Sequence, residues 1–357
     1  MGRWLLSSFR LDLYSLISFF FPLAGLMSVG VLMESNNQTS SSMGFLLLGF
    51  SDLFHLRVFF FCILFGLHLA TLAGNLLILL AVSAEPSRPP MLFFLCQLSA
   101  IELCYTLIIA PKALADLLSN GASPISFVGC ATQMHFFVAL GGAECFLLAA
   151  MSYDRYVAIC QPLRYMAVMN QGFCLQLLVI CCLGGFVVSL GLTVAIFHLP
   201  FCSSRHIDHF FCDVPALLHL ACTKSYVNEL PLLVACTLIL LLPFLLILIS
   251  YTCICLAVMR IHDSSGRGKA FSTCISHLVV TVLHYGCATF IYVRPKSSYS
   301  PRRDKMVALI YTNITPLLYP LIYSVRNKEI KGAVRKLLQK RLARLNWSIF
   351  KSRPAHS

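Results

Sequence analysis

The sequence predicts an all-α protein, a seven-transmembrane helix bundle that ends in a short amphipathic C-terminal helix. Three observations carry that expectation. Of 357 residues, 58% are hydrophobic and only 11% are charged, whereas a soluble globular chain carries roughly 25% charged residues. The apolar residues are gathered into long runs rather than dispersed. The basic residues collect beside those runs, chiefly in the tail.

A bilayer core is about 30 Å thick and takes about 20 apolar helical residues to cross. A spanning strand needs only about 10, with alternating polarity. The runs here are longer and evenly apolar. Val58–Ala84 is free of charge, Pro89–Pro111 holds only Glu102, and Leu117–Tyr153 holds only Glu144. Tyr165–Ser204, Leu230–Met259, Ala270–Val293 and Met306–Val325 are free of charge. In lipid the backbone must satisfy its own hydrogen bonds, which a helix does alone.

Lys and Arg set the orientation. With the segment before the first span outside, inner loops and tail hold 16 of the 27 basic residues, outer segments nine and the leader two. The tail from Arg326 supplies ten of the 16; the loop Arg294–Lys305 carries five and argues the other way. The net charge of +13 sits next to spans, where it meets anionic inner-leaflet lipid. Membrane lipid, not nucleic acid, is the expected partner of that charge.

The chain divides into an apolar leader (1–33), an outer segment (34–57), the spanning domain (58–326) and a basic inner tail (327–357). The leader reads as a signal peptide, an uncleaved anchor or an upstream extension; Met33 as an alternative start is the favoured reading. The tail from Arg326 to Lys340 places Ile330, Val334, Leu337 and Leu338 on one face and basic residues elsewhere. That pattern predicts an amphipathic helix on the inner leaflet.

Outside, Asn37-Gln38-Thr39 is an N-glycosylation sequon. Of 17 cysteines, most are expected to be small buried hydrophobes. Cys130, at the outer start of the third span, and Cys202, Cys212 and Cys222, in the loop after the fourth, favour disulfides on an oxidising face. Four cysteines allow three pairings, and the sequence does not select among them. Cys202, His206, Asp208, His209, Cys212 and Asp213 also look like a zinc ligand set. A disulfide loop with solvated histidines is the stronger reading, because a bridged cysteine has no thiolate to give. No metal and no cofactor is expected.

Within the spans, Glu102 and Glu144 stand where a charge costs roughly 2.5–3.5 kcal/mol. Such residues face the bundle interior and usually carry function, here as an ion or proton site with Asn75. His68, His277 and His284 read as structural histidines. Asp154 and Arg155 stand together where the third run ends. Third-span residues Met134, Phe137, Val138, Gly141 and Gly142 share one face by helical spacing, as do sixth-span residues Tyr285, Ala288, Thr289 and Tyr292. Two adjacent glycines leave space that the aromatics would line, mostly apolar with a few polar groups.

Several stretches narrow the reading further. They are "GN" at 74–75, "PPMLFFLCQLSAIELCYT" at 89–106, "MSYDRYVAICQPLRY" at 151–165, the three-cysteine loop, "SY" at 250–251, "KAFSTCISHL" at 269–278 and "PLLYPLIYSVRN" at 316–327. Over about residues 34–340 the chain resembles rhodopsin-like G-protein-coupled receptors and, within them, the olfactory (odorant) receptors. The resemblance implies a Cys130–Cys212 disulfide, leaving Cys202 for Cys222. It implies an activation switch in which Asp154 restrains Arg155 by a charge-assisted bond. On activation Arg155 would turn inward near Tyr251 and Tyr323, and the sixth helix would move out to admit a G protein. It also implies a small-molecule odorant as ligand, and a stimulatory heterotrimeric G protein that raises cyclic AMP as partner. Phe137 stands where amine receptors of similar fold place an Asp, so a mostly neutral volatile molecule is expected.

The chain departs from the family pattern at two inner positions. Tyr319 precedes Pro320 where Asn is usual, and Glu102 replaces the usual Asp. Pro320 still removes a backbone donor and can kink its helix. The competing class is an ion- or proton-coupled transporter using Glu102 and Glu144, although no internal repeat is visible. With no phosphate-binding loop, nucleophile elbow or paired-histidine motif in the sequence, an enzyme is not expected.

Overall fold

A computed structural model of the chain describes residues 44–84, 89–119, 123–201, 205–222, 226–261, 263–293, 300–326, 330–337 and 339. Seven helices within it are long and apolar enough to cross a membrane. They are α1 (Arg57–Ser83), α2 (Pro90–Leu118), α3 (Phe127–Cys160) and α4 (Gln171–Phe197). The fifth, α5, runs through Tyr226–Cys236, a π-helical turn at Thr237–Leu241, and Leu242–Met259. After α6 (Ser264–Tyr292), α7 runs through Pro301–Leu309, a second π turn at Ile310–Ile314, and Thr315–Arg326.

α2 and α3 are mostly enclosed by the other helices, whereas α1, α4 and α5 turn most of their surface outward. The outward residues are large and apolar, among them Val58, Phe59, Val187, Leu190, Leu233 and Ile249. In water such a surface would drive aggregation; against lipid it is the required solvent-facing side. α3 packs on α4, α5 and α2. Its contact with α4 is close enough to exclude a side chain: a Cβ on Gly185 would stand 2.4 Å from the Ala139 carbonyl oxygen. A small residue at a helix crossing brings backbones together where packing, not hydrophobicity, drives association.

Helix ends differ from the charge-poor runs, for local reasons. α2 continues through Pro111 to Leu118 and carries Lys112 and Asp116. Their charges meet each other at 3.5 Å across one helical turn. The Ser123 hydroxyl lies between them, hydrogen-bonded to both, and Lys112 also donates to the Pro124 carbonyl at 2.8 Å. α3 begins ten residues later than its run, because the Ser126 hydroxyl caps it by accepting from Gly129 N at 3.0 Å. α4 begins after Tyr165 because Asn170 Oδ1 accepts from Phe173 N at 3.0 Å. Side-chain caps of this kind fix a helix start more sharply than apolarity does.

An outer sheet adds to the all-α expectation. β1 (Gly44–Leu47) lies between β2 (Ser123–Ser126) and β3 (His206–Ile207). It runs antiparallel to β2, with Phe45 opposite Ile125, and parallel to β3, with Leu46 opposite His206. Beneath it a small core gathers Phe45, Ile125, Met134, Ile207 and the Cys130–Cys212 disulfide. At the other end, residues 330–337 form a helix whose Ile330 and Val334 pack against the bundle; Leu338 is outside the described residues.

Candidate functional site

A cavity with about 470 Å³ of atom-free space, counted to its open side, lies between the helices below the outer sheet. Phe137, Val138, Gly141, Gly142, Ala288 and Tyr292 line it, as their spacing on α3 and α6 predicts. Three expected residues do not. Met134 is fully buried in the small core under the sheet. Tyr285 is buried and donates from its hydroxyl to the Cys145 carbonyl at 3.2 Å. Thr289 faces outward, because helical spacing names a stripe without saying which flank the neighbours cover.

The rest of the lining comes from elements that one helix's periodicity does not reveal. Tyr105 reaches in from α2 and Tyr311 from the π turn of α7, their hydroxyls 3.5 Å apart. The π turn of α5 contributes Ile239 and Leu240. A single wide turn re-aims side chains, which is why such turns gather at functional sites. Cys145, Cys236 and His284 also line the cavity. No sequence signal distinguished Cys145 and Cys236 from the other buried cysteines.

Directly under the cavity lies a polar cluster. Glu144 Oε1 is 2.8 Å from His284 Nδ1, both side chains nearly sealed from solvent. The Tyr319 hydroxyl is 3.3 Å from the same ring nitrogen and reaches Glu144 as well. Glu102 packs against Glu144. On the opposite side of the ring, Cys145 Sγ stands 3.2 Å from His284 Nε2. The two intramembrane carboxyls are thus neighbours, and Tyr319 and His284 belong to the same cluster. Asn75 is placed differently: it donates to the Thr71 and Pro316 carbonyls at 3.0 and 3.2 Å, tying α1 to α7. Pro320 packs its ring over Gly74.

At the far end of α3, the Asp154 carboxylate accepts from the Tyr165 hydroxyl at 2.9 Å. Burial and the Asp154 charge push the Tyr165 phenol up, so it remains a donor. The expected Asp154–Arg155 ion pair is not made among the described residues. Arg155 is buried, with Nη2 lacking a hydrogen-bond partner, and its charge acts on Tyr251, His277 and Tyr323. Tyr251 Oη is 2.8 Å from His277 Nδ1, whose other nitrogen is 3.0 Å from the Leu148 carbonyl.

At the outer end the Cys130–Cys212 bridge fastens the loop to α3. Cys222 is disulfide-bonded; Cys202 and Asn37 lie outside the described residues. His206 is exposed, but His209 is not solvated as expected: it is buried and stacks on Phe210 with centroids 4.8 Å apart. Burial, aided by the Lys305 charge, lowers its pKa to about 3. The loop is a hydrophobic plug, held to α7 by a Lys305–Asp208 ion pair at 2.6 Å, and its aromatic Phe211 packs on Phe137. Among the described residues no group of three candidate ligands could hold a metal.

The architecture and its chemistry have close relatives. The sequence model of the olfactory receptor family matches residues 61–341. Human olfactory receptor 10AC1 is 64% identical over 312 residues, 87% of this chain and 96% of that protein. Human olfactory receptor 10V1 is 47% identical over 86% of this chain and its own full length. Human olfactory receptor 10Z1 is 48% identical over 84% of this chain and 95% of that protein. These matches favour a receptor over a transporter or an enzyme. The chain therefore belongs to the olfactory receptor family and is an odorant receptor of the G-protein-coupled class, a multi-pass protein of the plasma membrane.

Proposed function

We propose that the chain binds small, mostly neutral volatile molecules in the cavity between α3, α5 and α6, and that it signals through a stimulatory heterotrimeric G protein to raise cyclic AMP. The cavity wall is the observation that carries this reading: Phe137, Val138, Ile239, Leu240 and Ala288 are apolar, and two adjacent glycines make the room. A charged amine would need a carboxylate on α3 at the level of Phe137, and an aromatic ring stands there instead. Ligand energy is useful only as a difference in affinity between resting and active arrangements. The wall is coupled to the inner end through α3 itself, which carries both Phe137 and Arg155.

At that inner end, Asp154 changes partners. In the resting arrangement the carboxylate restrains Arg155. In the signalling arrangement Tyr165 takes the carboxylate and Arg155 turns toward Tyr251 and Tyr323. The Tyr165 hydrogen bond and the inward electrostatic reach of Arg155 support the second arrangement. Residues 34–57 form the outer segment, with Asn37 as a glycan acceptor. Residues 58–326 are the receptor domain, and 327–357 an inner tail whose apolar stripe and basic residues meet lipid. Cys202 pairs with Cys222.

A panel of volatile ligands on cells expressing residues 33–357, read as cyclic AMP, tests the reading. At least one neutral ligand should raise the signal, and Arg155→Ala should abolish the response while the receptor still reaches the surface. An intact response in that variant would remove the switch.

A further inference from the structure

We propose that Cys145 captures electrophilic odorants covalently, with His284 as its base and Glu144 orienting the ring. The inference rests on the cavity being the odorant pocket, because the electrophile has to reach Cys145 through it. Three observations meet at one place. Cys145 Sγ is 3.2 Å from His284 Nε2. The other ring nitrogen is 2.8 Å from Glu144 Oε1. Cys145 and His284 both line the cavity.

Nucleophile, base and orienting acid in sequence are recognised by geometry and role rather than by fold. A thiol reacts as the thiolate, so a base within reach of its proton decides its speed. Here Glu144 and the Tyr319 hydroxyl occupy the Nδ1 side of the ring. With Nδ1 facing these two groups, Nε2 is the ring nitrogen left to the thiol. Burying an imidazole beside a carboxylate is costly unless further partners repay it. A plain packing role gives no reason to add a cavity-facing thiol on the far nitrogen.

The cavity sets the substrate class. It is small and mostly apolar, which fits conjugate addition, a reaction with no leaving group, to an α,β-unsaturated aldehyde or ketone. The thiol proton moves to His284 Nε2. The sulfur forms a bond to the β-carbon, and the π pair of the carbon–carbon double bond shifts onto the carbonyl oxygen as an enolate. His284 then returns its proton to the α-carbon. The net change is addition of S–H across the double bond; nothing is oxidised or reduced, and no co-reactant is used. The Tyr105 and Tyr311 hydroxyls, on the same cavity, are the donors available to the enolate oxygen. Cys236 shares the cavity but directs its thiol to the Tyr292 carbonyl at 3.6 Å, which makes it an internal control.

The test uses membranes holding the full chain, treated with trans-2-hexenal or with saturated hexanal, then reduced with borohydride. Adducts at Cys145 and Cys236 are followed over time by peptide mass spectrometry. Cys145 should gain one hexenal at least about tenfold faster than Cys236, within the range that a positioned base supplies. His284→Gln should lower the Cys145 rate at least about tenfold and leave Cys236 unchanged. Hexanal, which fits but cannot add, should protect Cys145. Equal rates at the two cysteines in the unsubstituted protein overturn the inference without recourse to any variant, as does a Cys145 rate indifferent to His284. If aldehydes raise cyclic AMP while Cys145 stays unmodified, the pocket reading stands and covalent capture fails. If Cys145 is modified in a His284-dependent way with no cyclic AMP from any ligand, capture stands and the signalling reading fails.

Discussion

Tyr165 donates a hydrogen bond to Asp154 at 2.9 Å, joining the short helix after α3 to the acid that precedes Arg155. The bond has a charged acceptor and a phenol that burial keeps protonated. Hydrogen bonds to charged groups contribute about 1.5–3 kcal/mol. Whatever holds Asp154 away from Arg155 biases the receptor toward the arrangement in which Arg155 faces Tyr251 and Tyr323.

Tyr165→Phe should therefore lower ligand-independent cyclic AMP and shift the dose–response curve to roughly tenfold higher ligand, since about 1.4 kcal/mol is a factor of ten. Surface expression should stay near that of the parent, because the ring itself is retained. An unchanged curve would show that Asp154 does not exchange partners.

Gly141 faces the cavity, and a Cβ there would stand 3.3 Å from the Tyr105 hydroxyl. Alanine should be accommodated by a small movement of that side chain. Gly141→Leu fills the space itself, so potency should fall with increasing ligand length across a homologous series of aldehydes or alcohols. A uniform loss at every chain length would point to a folding defect instead.

His209 makes the outer plug sensitive to acid. Its pKa falls from 6.5 to about 3 on folding, so the unfolded chain binds the extra proton at intermediate pH. The stability this burial contributes is fully present above about pH 6.5 and is lost as pH drops below it, at up to ~1.4 kcal/mol per unit. Thermal inactivation of the detergent-solubilised receptor should be faster at pH 5 than at pH 7.5. His209→Phe should flatten that dependence. An equally steep profile in the variant would place the acid sensitivity elsewhere.

Much of this molecule was legible in one dimension. Seven charge-poor runs name seven helices because lipid forbids any other backbone solution for runs of that length. The motif around Asp154 and Arg155 and the one at 269–278 name the family, and helical spacing together with the family's pocket location selected six of the residues that line the cavity. What escaped has a common physical cause: it depends on which side chains from distant segments meet. The buried carboxyls Glu102 and Glu144 were conspicuous by their cost, but His284 read as one more structural histidine until the fold set it 2.8 Å from Glu144 and 3.2 Å from Cys145. Tyr105 and Tyr311 enter the cavity through helix contacts and a π turn that no periodicity encodes. His209 looked solvated because Arg205, His206 and Asp208 precede it in an outer loop, yet it is buried and packs on Phe210 and Phe211. Sequence by itself determined the number of spans and the kinship of the chain, since both follow from local composition and contiguous motifs. Tertiary structure alone decided the partner of Asp154, the side of α6 that carries Thr289, and the contact between Cys145 and His284, because each depends on helix rotation and on packing between segments far apart in the chain.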